Sequence, residues 1–117
     1  MKKMITLVIT VIFSVCVHAA GFQYHGTSNG ISLYYKVTDY GITFKVKNDT
    51  SETVHVLIDN VSGNWSDGKR RTEDVFVTYV NPNQTSTSTY DHADNYSKLK
   101  NWSFSRWRWS TRYSDIK

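Results

Sequence analysis

Cysteine, proline and glutamate are nearly missing from this chain. Cys16 is the only cysteine, Pro82 the only proline, and Glu52 and Glu73 the only glutamates. Cys16 lies in an N-terminal apolar segment, so a domain built from the remainder folds without a disulfide and offers no thiol nucleophile. One proline and six scattered glycines leave no Pro/Gly-rich linker and no low-complexity tail. There is no Gly-x-Ser-x-Gly elbow and no glycine-rich phosphate loop. Both glutamates sit in turn or loop contexts, and nothing in the sequence pairs Asp59 with Glu73 or Asp74 as catalytic carboxylates. An enzyme is not expected, nor a cofactor. Apolar residues at helical spacing are also missing after residue 20.

What is present begins with an address. Lys2 and Lys3 precede an apolar run from Met4 to Val17, and Val17-His18-Ala19-Ala20 ends it in small residues. This reads as a secretory signal peptide over residues 1–19, cleaved after Ala19 or Ala20. An uncleaved membrane anchor is the alternative, since ~17 apolar residues is the short limit for a span. The expected location is therefore exported, periplasmic or secreted, with residues 20–117 as one domain. A chain of that length buries ~60–70% of its unfolded surface, enough for one modest core. Removing Lys2 and Lys3 from fourteen Lys and Arg leaves twelve against ten Asp and Glu, a net +2. That small excess speaks against nucleic acid as the partner. Its distribution is uneven: from Lys98 onward there are six basic residues and one acid.

Ile31–Val37 and Ile42–Asn48 are alternating runs around Thr-Asp-Tyr-Gly, which predicts a β-hairpin. Pairing Val37 with Ile42 sets Tyr35 against Phe44 and Leu33 against Val46 on one apolar face. Ser32, Tyr34, Lys36, Thr43, Lys45 and Lys47 then line the wet face. Phe22 and Tyr24 suggest a short first strand. Val54, Val56 and Ile58 alternate in a third, which continues the sheet through a five-residue connection or a bulge, or crosses to a second sheet. Residues 60–74 read as a long connection, with Trp65 as a lid on the core or part of a binding loop. Val75–Val80, apolar on both faces, reads as a central strand, and Gln84–Tyr90, rich in Ser and Thr, as an edge strand. The expected fold is all-β: a small antiparallel β-sandwich of immunoglobulin-like size with six to seven strands, or else a small β-barrel.

The last strand, Asn101–Thr111, is the richest in chemistry. Trp102 and Phe104 share one parity, Trp107 and Trp109 the other. A regular strand would set Arg106 and Arg108 beside the core, whereas a bulge near Ser105 brings all four rings to one side. Trp102 and Phe104 read as core. Trp107 and Trp109 are either core or, with Arg106 and Arg108, a cationic aromatic platform suited to sugar rings or an anionic surface. Trp65, Arg70 and Arg71 are the remaining candidate ligand-binding residues. His55, between Val54 and Val56, is expected on the wet face. Asp91-His92-Ala93-Asp94 is too ordinary a loop to predict a metal site. Six of eight asparagines begin Asn-x-Ser/Thr triplets, read here as turn chemistry. The leading functional expectation is a non-catalytic, carbohydrate-binding module that engages a cell-envelope or extracellular glycan or an anionic surface through its C-terminal strand. The rivals are a protein–protein inhibitor or immunity factor using residues 60–74, and an adhesion or structural subunit pairing through its edge strand.

Overall fold

Period-two alternation sets the first sheet, and its hairpin forms in the expected register. The computed structural model describes residues 21–94 and 96–117, so the expected signal peptide lies outside the described residues. Eight strands follow in chain order: β1 (Gln23–Ser28), β2 (Ile31–Thr38), β3 (Gly41–Asn48), β4 (Val54–Trp65), β5 (Arg70–Val80), β6 (Thr85–Asp91), β7 (Leu99–Ser103) and β8 (Arg106–Ser110). There are eight rather than six or seven because the last expected strand divides at Phe104–Ser105. Among the described residues the only helical turn is Tyr113–Asp115. The strands form two antiparallel sheets around one shared core, an all-β arrangement consistent with a small β-sandwich.

The first sheet runs β1-β2-β3-β6. Val37 pairs with Ile42, Tyr35 with Phe44 and Leu33 with Val46. Leu33, Ile42, Phe44 and Val46 are fully buried, Tyr35 is half-buried, and Val37 lies exposed beside the turn. β6 is an edge strand, as its Ser/Thr composition implies. The chain then crosses to the second sheet at a corner held by Asn48. Its Nδ2 donates to the carbonyls of Glu52 (2.7 Å) and Val80 (2.8 Å), and its Oδ1 accepts from the Thr50 N–H and hydroxyl.

The second sheet places β4 in the centre, with β5 on one side and both β7 and β8 on the other. Two expectations are corrected here. Residues 60–74 are not a long connection: β4 runs to Trp65 and β5 starts at Arg70, so the hairpin closes in a short turn. The alternation is masked by a bulge at Asn60 and by Gly63, an inward-facing position without a side chain. A Cβ at Gly63 would stand 2.5 Å from the Leu99 side chain and 3.0 Å from the Tyr90 hydroxyl. That bare position lets Tyr90 accept from the Trp65 indole N–H (3.2 Å) and donate to the Arg71 carbonyl (2.7 Å). Trp65 is thus interior, 1% exposed. β5, in turn, is an edge strand rather than a central one. Its outward apolar residues, Phe76 and Tyr79, remain exposed, and part of that outer face is covered by the C-terminal turn.

Leu57 and Ile116 are both buried yet stand outside the core between the sheets. His55 shares this outer face. It was expected to be exposed but is buried under Tyr79 (ring centroids 4.6 Å apart) and Tyr113 (5.6 Å). A bulge frees the Tyr79 N–H, and His55 Nδ1 accepts it at 3.0 Å. Sequence alternation assigned the correct face but could not show what folds back over it.

Candidate functional site: an aromatic cleft between two sheet edges

A line of irregularity crosses the second sheet and shapes its open side. Asn60, at φ 55°, is the extra residue of the β4 bulge. Its backbone N–H donates to Asp74 Oδ1 (2.9 Å) and its Nδ2 to Ser105 Oγ (3.1 Å). The Ser105 N–H donates to the Asp59 carbonyl at 2.9 Å. The break between β7 and β8 therefore sits beside the bulge of β4, and hydrogen bonds join the two. Below it, Trp107 lies opposite Ile58 and Trp109 opposite Val56, both inward positions. Above it, Trp102 lies opposite Gly63. The four rings Trp102, Phe104, Trp107 and Trp109 all pack, partly buried, on the same core. One skipped residue reconciles two opposite parities.

On the far side of the interior, β1 forms the matching edge of the first sheet. Its register shifts between Tyr24 and Gly26, which makes His25 the extra residue. The imidazole lies 5.1 Å from the Phe104 ring and 6.4 Å from that of Trp107. Tyr35 meets Trp102 edge-on at 5.1 Å, and Trp102 stacks on Phe104 at 6.1 Å. Between the two edges opens a cleft of about 470 Å³, lined by His25, Tyr35, Trp102, Phe104, Trp107 and Arg106 with Ser103 and Ser105. That volume is within the range of small-ligand sites, and the lining combines ring faces with a few polar groups. Lost hydration among these rings holds His25 below its ordinary value of 6.5. The opposite side of the molecule is tied together by Tyr90 of β6 bonding the Arg71 carbonyl of β5.

The expected site residues divide among four places. Trp107 and Arg106 line the cleft. Trp109 packs on the core further along β8. Arg106 and Arg108 point away from the tryptophans of their own strand, and both donate through Nε to Asp59 Oδ2, at 2.8 and 3.4 Å. Trp and Arg side chains of β8 therefore do not form one flat platform. Alternation within a regular strand puts neighbours on opposite faces. Trp65 is core. Arg70 and Arg71 lie on β5, across β4 from β7: Arg70 is exposed and reaches Asn64 Oδ1 at 3.5 Å, while Arg71 is half-buried with its Nε unpartnered. The cleft adds His25, Tyr35, Trp102 and Phe104, which were not expected as site residues. Gly26 was the one available signal for His25, because glycine inside a strand often marks a bulge.

A second cluster joins the β4–β5 turn to the β6–β7 loop. Donor atoms of Asp67, His92 and Asp94 all lie within 4.8 Å of one another. His92 Nε2 meets Asp67 Oδ2 at 2.9 Å, and His92 Nδ1 accepts the Asp94 N–H at 3.2 Å. Asp94 also accepts from the Ser97 and Tyr96 N–H groups, which hold its carboxyl down to about 2. Asp67 accepts from the Lys69 N–H and is lowered for the same reason. These lone pairs are already engaged within the loops, so the cluster works as a clasp. Among the described residues no helix is long and apolar enough to cross a membrane. Compared with protein-family models, curated proteins and solved structures, the chain matches none.

Proposed function

We propose that this chain is a non-catalytic, exported binding module that receives a glycan in the aromatic cleft. The observation that carries this reading is the convergence of His25, Tyr35, Trp102, Phe104 and Trp107 on an open cleft with Arg106 at its rim. Aromatic faces stack on the C–H faces of sugar rings, while indole N–H and hydroxyl groups bond sugar hydroxyls. Arg106 reaches the rim from the outer face, where Asp59 pairs with its guanidinium at 2.8 Å, so the aromatic faces rather than its charge carry the recognition. The inhibitor reading rests on a long loop over residues 60–74, where the chain has a hairpin with a short tip between Trp65 and Arg70, so the cleft is the better-supported site.

The test titrates the purified domain with an oligosaccharide panel, followed by tryptophan fluorescence. Trp107→Ala should weaken the best-bound sugar by about tenfold or more, as loss of a central aromatic anchor does. Trp109→Ala, on the same strand but outside the cleft, should leave affinity unchanged. Circular dichroism checks that both variants fold. Equal effects of the two substitutions, or a folded Trp107→Ala variant that binds normally, would sink the reading.

A further inference from the structure

The wet face of the first sheet gathers the cations of three neighbouring positions. Lys45 pairs with Tyr34 and with Thr87, Lys47 with Ser32 and Thr85, and Lys36 with Thr43, which pairs with Thr89. Directly opposed residues share a face, so all of these point outward from the same surface. Lys45 Nζ lies 4.5 Å from the centre of the Phe22 ring and 5.0 Å from that of Tyr34. Lys36 Nζ stands 6.0 Å from the Phe22 ring. Among the described residues neither Lys36 nor Lys45 has a carboxylate partner, and Lys47 has only a long contact to Asp49, 3.9 Å. Two of these ammonium groups are thus positioned by ring faces rather than neutralised by acids.

We propose that this face is a second binding surface, separate from the cleft, for an extended anionic polysaccharide. Three features select that occupant. The lysines are left with charge to complement. Alternate residues along β3 repeat at about 6.8 Å, so Lys45 and Lys47 set their charges in a line along the strand, which an extended polyanion can follow. Around them lie the hydroxyls of Thr43, Thr85, Thr87 and Thr89, with Tyr24 exposed beside Tyr34 (ring centroids 5.6 Å apart). Those groups can bond and stack on sugars. The face carries no aliphatic side chain to insert into lipid, and Phe22 is turned toward the lysines.

The probe is immobilised polygalacturonate, with phosphatidylglycerol vesicles as the rival polyanion. The wild-type domain should bind the polyuronate, and binding should weaken with added salt as counterions are released. The Lys36→Gln/Lys45→Gln/Lys47→Gln variant should bind about tenfold more weakly with a flatter salt dependence. A Lys98→Gln/Lys100→Gln/Lys117→Gln variant removes equal charge elsewhere and should bind as wild type. Lys47→Gln alone leaves the ring contacts intact and should reduce the salt slope by about one unit or less. Trp107→Ala should not change this binding, which separates failure of the cleft from failure of this face. Equal losses in the two triple variants, binding to vesicles but not to polyuronate, or no binding to either would overturn the proposal.

Discussion

Asn48 shows how much a single buried polar side chain can carry at a corner of the fold. It is fully buried, and its amide satisfies two carbonyls and accepts two donors across the β3–β4 corner. Alanine there would leave the Val80 carbonyl without that donor in a site water does not reach. Asn48→Ala should lower stability by about 2–3 kcal/mol, the scale of a buried polar group left unpaired, read as a shift of the urea midpoint. The Trp65–Tyr90–Arg71 chain behaves alike: each polar tip of an aromatic side chain ends on a partner. Neither role was legible in the sequence. Asn48 begins one of six similar triplets, and only the fold shows which of them is interior.

At the level of elements, the hairpin register and the break at Ser105 were both legible, for one reason. Any other arrangement would bury a lysine or an arginine, and the cost of an unpaired buried charge removes the alternatives. The β4–β5 hairpin was hidden because its upper half is polar outward and interrupted at Asn60 and Gly63. Burial of His55 was hidden because it depends on Tyr113, far away in the chain. The cleft was half legible: Trp107 and Arg106 were found, whereas Tyr35 and His25 belong to the other sheet. The line of bulges gives a prediction at this scale. Asn60 sits at φ 55°, where glycine rests freely and a β-branched residue does not. Asn60→Val should cost about 2–3 kcal/mol in chemical denaturation, and Asn60→Gly less than about 1 kcal/mol. Equal costs would mean that the side-chain bond to Ser105, lost in both variants, and not the backbone conformation, holds the line.

For the molecule as a whole, pH dependence should come in two windows of one sign. His25 is lowered below 6.5 in the folded chain, so below that pH the unfolded chain takes up the proton more readily and stability falls. Asp67, Asp94 and Asp115 are lowered below 3.8. Their contribution is present above that value and is lost as pH drops through the folded values, Asp94 last at about 2. The thermal midpoint should be level above about pH 6.5, decline modestly below it, and decline again below about pH 4. His25→Phe should abolish the first decline and spare the second.

The irregularities at His25 and Ser105 also govern crowding. They interrupt two of the four sheet edges, β1 and the β7–β8 line, where another chain could add a strand. An arriving strand would find only a few bonds in register before meeting a displaced residue, and along β8 it would meet Arg106 and Arg108. Edges spoiled in this way are poor templates for fibrils. The displaced residues that shape the cleft therefore also resist the stacking of copies along these edges.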